Sequence, residues 1–92
     1  MAEIKVERNP DKKRLDGLGV FVWPTWEKEV SEFPWSYTEQ EVCYVLEGDV
    51  VVTPAGGKPA QFGKGCLVTF PKGMKCTWNV RKPVRKHYRF GS

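Results

Sequence analysis

Short apolar or alternating runs, separated by glycine and proline, cover most of this 92-residue chain. Such runs are typical of β-strands, because successive side chains of a strand point to opposite faces. The clearest strands are residues 41–46 and 49–53, which are linked through Glu47-Gly48. The pattern predicts further strands at residues 4–7, 20–23, 26–33, 35–37, 60–62, 66–70, 75–80 and 84–90.

Turn residues punctuate these runs at regular intervals. The strongest hairpin signal is residues 54–58, Pro-Ala-Gly-Gly-Lys, and glycine-rich turns are expected at residues 63–65 and 71–73. Residues 9–16 are expected to form one helical turn. Many short strands with little or no helix indicate an all-β sandwich or barrel, and a small all-β protein must close or cover its sheet edges.

The composition fits one small globular domain spanning residues 1–92. The chain is 40% hydrophobic and 13% aromatic, which is enough for one core. At this size a monomer buries roughly 60–65% of its unfolded surface, so we expect a homodimer. The apolar runs are too short to span a membrane, and the N-terminal region lacks the apolar stretch of a secretory signal. Three cysteines without close spacing predict reduced thiols in the cytoplasm.

The net charge of +4 raises the question of nucleic-acid binding. Basic residues concentrate near both ends of the chain, and acidic residues lie between them. No nucleic-acid motif accompanies this distribution. A positive net charge alone indicates only solubility and non-specific attraction to anions. Nucleic acid is therefore not the expected partner.

Two motifs carry a resemblance to a known superfamily. Glu41 is followed seven residues later by Gly48, and residues 65–73 repeat a spacing of glycine, five residues, then Pro-x-Gly. Together they resemble the two signature motifs of the cupin superfamily. The resemblance implies a single jelly-roll β-barrel with its site inside.

The residues that usually bind metal in cupins are replaced in this chain. Metal-binding members place His-x-His shortly before the motif glutamate and a histidine three residues after the last glycine. The first pair corresponds here to Pro34 and Ser36, or to Trp35 and Tyr37, and the last position to Cys76. A metal cofactor is therefore an open question.

A narrower resemblance covers almost the whole chain. Residues 23–27, 43–48, 67–73, Trp78 and 84–88 are similar to the small single-domain cupins of the family named for the cupin domain of (S)-ureidoglycine aminohydrolase. That enzyme is a manganese-dependent two-cupin protein. The resemblance implies ureidoglycine-like chemistry as a family analogy only.

Strand periodicity predicts which side chains share the barrel interior. If Glu41 points inward, as the motif implies, Cys43 lies on the same face. An inward Cys76 brings Trp78 with it, and Trp35 or Tyr37 is expected at the mouth of the cavity. A buried carboxylate is costly unless it is paired, metal-bound or protonated. This makes Glu41 the central residue of the predicted site.

Three interpretations of this site compete. In the first, Glu41 and Cys76 bind zinc or iron, with Cys43 or His87 as a third ligand. In the second, a metal-free pocket binds a small polar or aromatic molecule. Trp35, Tyr37 and Trp78 would stack on the ligand, and Glu41 would anchor a cationic or hydroxyl group. Catalysis there would use Glu41 as general acid or base and Cys76 as nucleophile.

The third interpretation is a filled barrel in a regulatory or structural interaction protein. The cysteines would then be small buried hydrophobic residues. His87 is expected to be structural or at the surface, and Trp23 and Trp26 to be core or dimer contacts. The basic side chains of the last strand are expected to be solvated: Arg85, Lys86 and Arg89.

Overall fold

Seven antiparallel strands and one short helix make up residues 3–91, the part of the chain that the computed structural model describes. The strands are β1 (Lys5–Arg8), β2 (Thr25–Lys28), β3 (Ser31–Ser36), β4 (Glu41–Pro54), β5 (Ala60–Gly63), β6 (Cys66–Phe70) and β7 (Lys75–Phe90). The helix α1 is Lys12–Leu18, and a 3-10 turn follows at Val20–Val22. The all-β prediction is confirmed. Met1, Ala2 and Ser92, which the predicted domain includes, lie outside the described residues.

The long strands β4 and β7 form a bent ribbon that organises the barrel. They pair from Glu41 opposite Phe90 to Pro54 opposite Cys76, with register shifts between Val45 and Val50. Gly48 lies at these shifts with φ of 127°, and a Cβ there would come within 2.8 Å of the Val84 Cα. Only glycine permits this close approach, so the β-bulge and the bend depend on it.

The two halves of the ribbon pair with different strands, which closes the sheet on itself. The first part of β4 pairs with β6, and the second part pairs with β5. Similarly, β3 pairs with the first half of β7 and β2 with the second half. The remaining strand, β1, pairs with β6. Inward side chains from both halves therefore face one common interior.

Two hydrophobic clusters lie on opposite faces of the sheet. The interior cluster includes Val45, Phe62 and Phe70 and fills the barrel. The outer cluster is smaller and places Leu15 of α1 and Val20 against Leu67. The helix thus covers part of the outer face. No helix of residues 3–91 is long and apolar enough to cross a membrane.

The predicted strand at residues 20–23 is wrong. Gly19 ends α1 in the left-handed conformation, with φ of 75°, and the chain then turns tightly. The Trp23 amide donates to the Val20 carbonyl at 3.1 Å, which closes the 3-10 turn. Val20 is buried against the sheet, so tertiary packing overrides the β propensity of this valine-rich run.

Several predicted strand boundaries also change. The predicted strand at residues 26–33 is two strands, β2 and β3, separated at Glu29 and Val30. Conversely, residues 41–46 and 49–53 belong to the single strand β4, and residues 75–80 and 84–90 to the single strand β7. The bulged ribbon continues through positions where glycine and proline suggested an end.

Candidate functional site

A pocket of about 240 Å³ lies between β2, β3, β4 and β7. Its walls are almost entirely aromatic, and the rings belong to Trp26, Phe33, Trp35, Tyr37, Trp78, Tyr88 and Phe90. The charged residues that line it are Glu41 and Lys86. An apolar cavity with few placed polar groups is the usual form of a small-molecule site.

Glu41 and Lys86 form a buried ion pair in this pocket. The Lys86 Nζ donates to Glu41 Oε2 at 2.7 Å, and the two residues are only 4% and 3% exposed. Glu41 begins β4, while Lys86 pairs with Val45 further along the same strand. The long lysine side chain therefore runs along β4 to reach the carboxylate. The buried carboxylate of Glu41 is therefore paired with a cation from the same chain, which offsets the cost of removing its charge from water.

Two indole rings flank the Lys86 ammonium. Its Nζ lies 5.0 Å from the Trp26 ring centroid and 4.7 Å from the Trp78 ring centroid. Trp26 is the direct cross-strand partner of Lys86 in the β2–β7 ladder, and Trp78 lies on the same face of β7. The electron-rich faces of both rings stabilise the cation.

The prediction that Lys86 is solvated is wrong. The buried residues of β7 all fall on one parity, at Cys76, Trp78, Val80, Val84 and Lys86, and the alternation is interrupted only at the exposed Lys82. Reading residues 75–90 as one strand would have placed Lys86 on the inner face with Trp78. The same structure puts Trp26 in the pocket wall, whereas Arg85 and Arg89 are exposed as predicted.

The four predicted residues that line the pocket are Glu41, Trp35, Tyr37 and Trp78. Trp35 is 46% exposed, so its ring lies at the mouth. Tyr37 is buried, and its hydroxyl accepts a hydrogen bond from Trp78 Nε1 at 3.1 Å. Burial, with a smaller contribution from nearby Glu41, raises the pKa of Tyr37. The phenol is therefore neutral at physiological pH and fixes the Trp78 indole.

The predicted thiol residues do not line the pocket. Cys43 is fully buried in the interior cluster, and burial raises the pKa of its thiol to about 12. The Cys76 Sγ lies 3.6 Å from the Trp35 carbonyl oxygen, and burial raises the pKa of this thiol as well. A protonated thiol is a poor nucleophile and a poor metal ligand. The geometry gives neither cysteine access to a ligand.

The residues present do not fit the metal that the resemblance implies. Within residues 3–91, no three His, Cys, Asp or Glu side chains come together as a metal site. Glu41 instead holds the Lys86 ammonium. His87 lies on the other face of β7, where its Nδ1 is 2.9 Å from the Trp23 carbonyl oxygen. Of the two third ligands considered from the sequence, His87 is thus turned away from Glu41, and Cys43 is buried in the interior cluster.

The barrel and its motifs are those of a known family. Residues 15–88 match the model of the EutQ-like cupin domain. The chain belongs to the EutQ-like cupin domain family. The prediction of a cupin barrel is confirmed, and membership fixes the fold without assigning an activity.

Three solved structures are similar to this chain. A DUF861 family protein from Thermotoga maritima is 55% identical, with a TM-score of 0.92, covering 96% of this chain and 99% of that one. The Clostridium difficile EutQ protein is 25% identical, with a TM-score of 0.66, covering 73% and 52%. A putative ethanolamine utilization protein Q from Salmonella typhimurium is also 25% identical, with a TM-score of 0.66, covering 73% and 54%. The chain thus spans about half the length of the two EutQ proteins. No curated protein matches it.

Proposed function

We propose that the pocket binds a small, uncharged aromatic molecule without using a metal ion. The observation that carries this proposal is the Glu41–Lys86 pair, which neutralises the two charged groups of an otherwise aromatic pocket. A charged ligand would lose its hydration there without meeting a net opposite charge, which is unfavourable. This changes one expectation from the sequence: a cationic group on the ligand is no longer favoured.

Glu41 supplies the hydrogen-bond acceptor for such a ligand. Lys86 binds Oε2, and no buried side-chain oxygen or nitrogen of residues 3–91 lacks a partner. Glu41 lines the pocket, and we infer that its second carboxylate oxygen, Oε1, is available to a ligand there. The Lys86 ammonium already contacts Glu41 and the two indole faces. A ligand hydroxyl or N–H group that donates to Oε1 is therefore the best match.

The aromatic walls supply the remaining affinity. Stacked or edge-on ring contacts contribute about 0.5–1.5 kcal/mol each beyond the burial of area. For a ligand of the size of phenol or indole, about 0.5 kcal/mol per non-hydrogen atom corresponds to a Kd of roughly 1 mM. Such ligands are suitable probes even though a natural ligand would bind more tightly.

The test is a titration with four probes of similar size, namely phenol, indole, benzoate and benzylammonium. Three of the four tryptophans line the pocket, so the NMR signals of their side-chain N–H groups report occupancy directly. Phenol and indole should bind saturably, and the two charged probes should bind at least tenfold more weakly. Trp35→Ala at the mouth should weaken binding, while Trp23→Phe, outside the pocket, should not. Absence of saturable binding by every probe would refute the proposal.

Binding is better supported than catalysis. The relation to (S)-ureidoglycine aminohydrolase remains a family analogy, because that enzyme uses manganese and the side chains around Glu41 do not form a metal site. Cys76, the predicted nucleophile, is a protonated thiol outside the pocket wall. The residues with a supported role are Glu41 as acceptor, Trp35 and Trp78 as walls, and Tyr37 as the support for Trp78.

We propose in addition that the protein is a cytoplasmic homodimer. An apolar surface beside α1 supports the dimer, since Phe21 is half exposed and Val22 is 87% exposed. The three unpaired thiols are typical of a reducing compartment. This surface is also what a regulatory interaction protein would use, the alternative that the sequence left open. Light scattering on the wild type and on Val22→Asp tests the dimer: a monomeric wild type would contradict it.

A further inference from the structure

We propose that Lys86 determines the specificity of the pocket: its ammonium occupies a cation site built by Glu41, Trp26 and Trp78, and thereby excludes alkylammonium ligands. In the wild type this cation site is filled by Lys86 of the same chain and is therefore closed to external ligands. Removing the lysine side chain should convert the pocket into one that binds small primary ammonium ions.

The surroundings of the Lys86 Nζ are those of an ammonium-binding cage. A carboxylate oxygen lies 2.7 Å away, and two indole ring centroids lie at 4.7 and 5.0 Å. Cations bind best over tryptophan faces, within about 6 Å of the ring centroid. A carboxylate beside two such faces provides charge and shape for one ammonium group. Within the described pocket wall, no other cationic side chain competes for this position.

The covalent attachment of the ammonium to β7 favours occupation of the cage by Lys86. The lysine is attached to β7 directly opposite Trp26, so its ammonium is presented to the cage at a high effective concentration. A free amine must displace this intramolecular partner and leave a second cation in an apolar pocket. Exclusion of amine ligands rests on the proposed binding function. The cage itself rests only on the geometry.

The cage is tested by chemical rescue of Lys86→Ala. This change keeps Glu41, Trp26 and Trp78 and leaves space for a chain of three carbons ending in an ammonium group. n-Propylammonium chloride should raise the Tm of the variant saturably, by about 5–10 °C at tenfold its Kd. Equimolar sodium chloride and n-propanol control for salt and for filling of the cavity. The exposed Lys82→Ala variant is the matched lysine control.

The outcomes separate clearly. Rescue by propylammonium that exceeds rescue by propanol, and that disappears in Glu41→Gln/Lys86→Ala, supports the cage. Equal rescue by propanol, or a folded variant without rescue, overturns it. Folding of Lys86→Ala only in the presence of propylammonium also supports it.

If Lys86→Ala folds under no condition, the wild type provides the test. Protons of the Lys86 ammonium lie over two indole rings, so ring currents should shift their NMR signal upfield of the solvated lysines. Burial should also slow their exchange with water. This signal should be absent from Lys86→Arg. A wild-type spectrum in which every lysine ammonium resembles a solvated one would overturn the cage.

The cage and the binding function fail in different ways. Rescue of Lys86→Ala without binding of phenol or indole to the wild type would retain the cage and refute the proposed function. Binding of benzylammonium to the wild type as tightly as phenol would refute the exclusion of amines. It would leave aromatic binding in place.

Discussion

Breaking the Glu41–Lys86 pair from one side should be far more damaging than removing both partners. At 2.7 Å the attraction is about 6 kcal/mol for an effective dielectric constant of about 20, and it offsets the desolvation of both ions. Lys86→Met leaves a buried carboxylate with no cation, which should cost about 3–5 kcal/mol. Glu41→Gln leaves an ammonium still held by two indoles, so its cost should lie near 2–3 kcal/mol.

The double variant Glu41→Gln/Lys86→Met should recover most of this loss. It buries no charged group and keeps side chains of similar volume. We therefore expect its free energy of unfolding to lie within about 1–2 kcal/mol of the wild-type value. The coupling free energy of the cycle should then exceed about 3 kcal/mol. For a chain of this size, a loss of 3–5 kcal/mol lowers the Tm by roughly 12–40 °C.

Urea unfolding, followed by tryptophan fluorescence and circular dichroism, measures all four corners of the cycle. The exposed pair of Arg85 and Glu27, 3.4 Å apart with side chains 51% and 70% exposed, provides the matched control. Arg85→Met should cost less than about 1 kcal/mol. Additive costs in the Glu41–Lys86 cycle, within about 0.5 kcal/mol, would show that the pair is not coupled in solution and would refute this reasoning.

Three further predictions concern pH, metal and the bend of the ribbon. The unfolded chain releases the Cys43 proton near pH 9, whereas the native chain keeps it until about pH 12. The unfolding free energy should therefore fall above pH 9 by up to about 1.4 kcal/mol per pH unit from this thiol, and urea titrations of Cys43→Ala should show a shallower decline. Elemental analysis of natively purified protein should find no stoichiometric metal, and Cys76→Ala should give the same result. One metal ion per chain, lost in the variant, would contradict the proposal that the pocket works without a metal. Gly48→Ala should cost at least about 2 kcal/mol in thermal unfolding, since its Cβ would collide with Val84 at a left-handed φ; a variant as stable as the wild type would show that the bend does not need glycine.

The distribution of inward residues on β4 was readable from the sequence. Glu41 and Cys43 alternate with partly exposed neighbours, because the side chains of a strand change face at every residue. The turn at residues 54–58 followed from its proline and glycines, since few other residues adopt such conformations. These local rules were sufficient for the all-β fold class, whereas the prediction that Glu41, Trp78 and Trp35 or Tyr37 share one cavity also needed the resemblance to the cupin motifs.

The partner of Glu41 was decided by the tertiary structure. Lys86 lies 45 positions away in a basic segment, where solvation is the ordinary expectation for lysine. Its burial depends on the β2–β7 register, which sets Trp26 opposite it, and on the bulged ribbon, which keeps β7 continuous past Pro83. Register arises from the combined fit of distant strands, so no local pattern specifies it. The sequence by itself therefore determined a barrel with a buried carboxylate. Only the folded chain decided that a lysine ammonium is placed beside it.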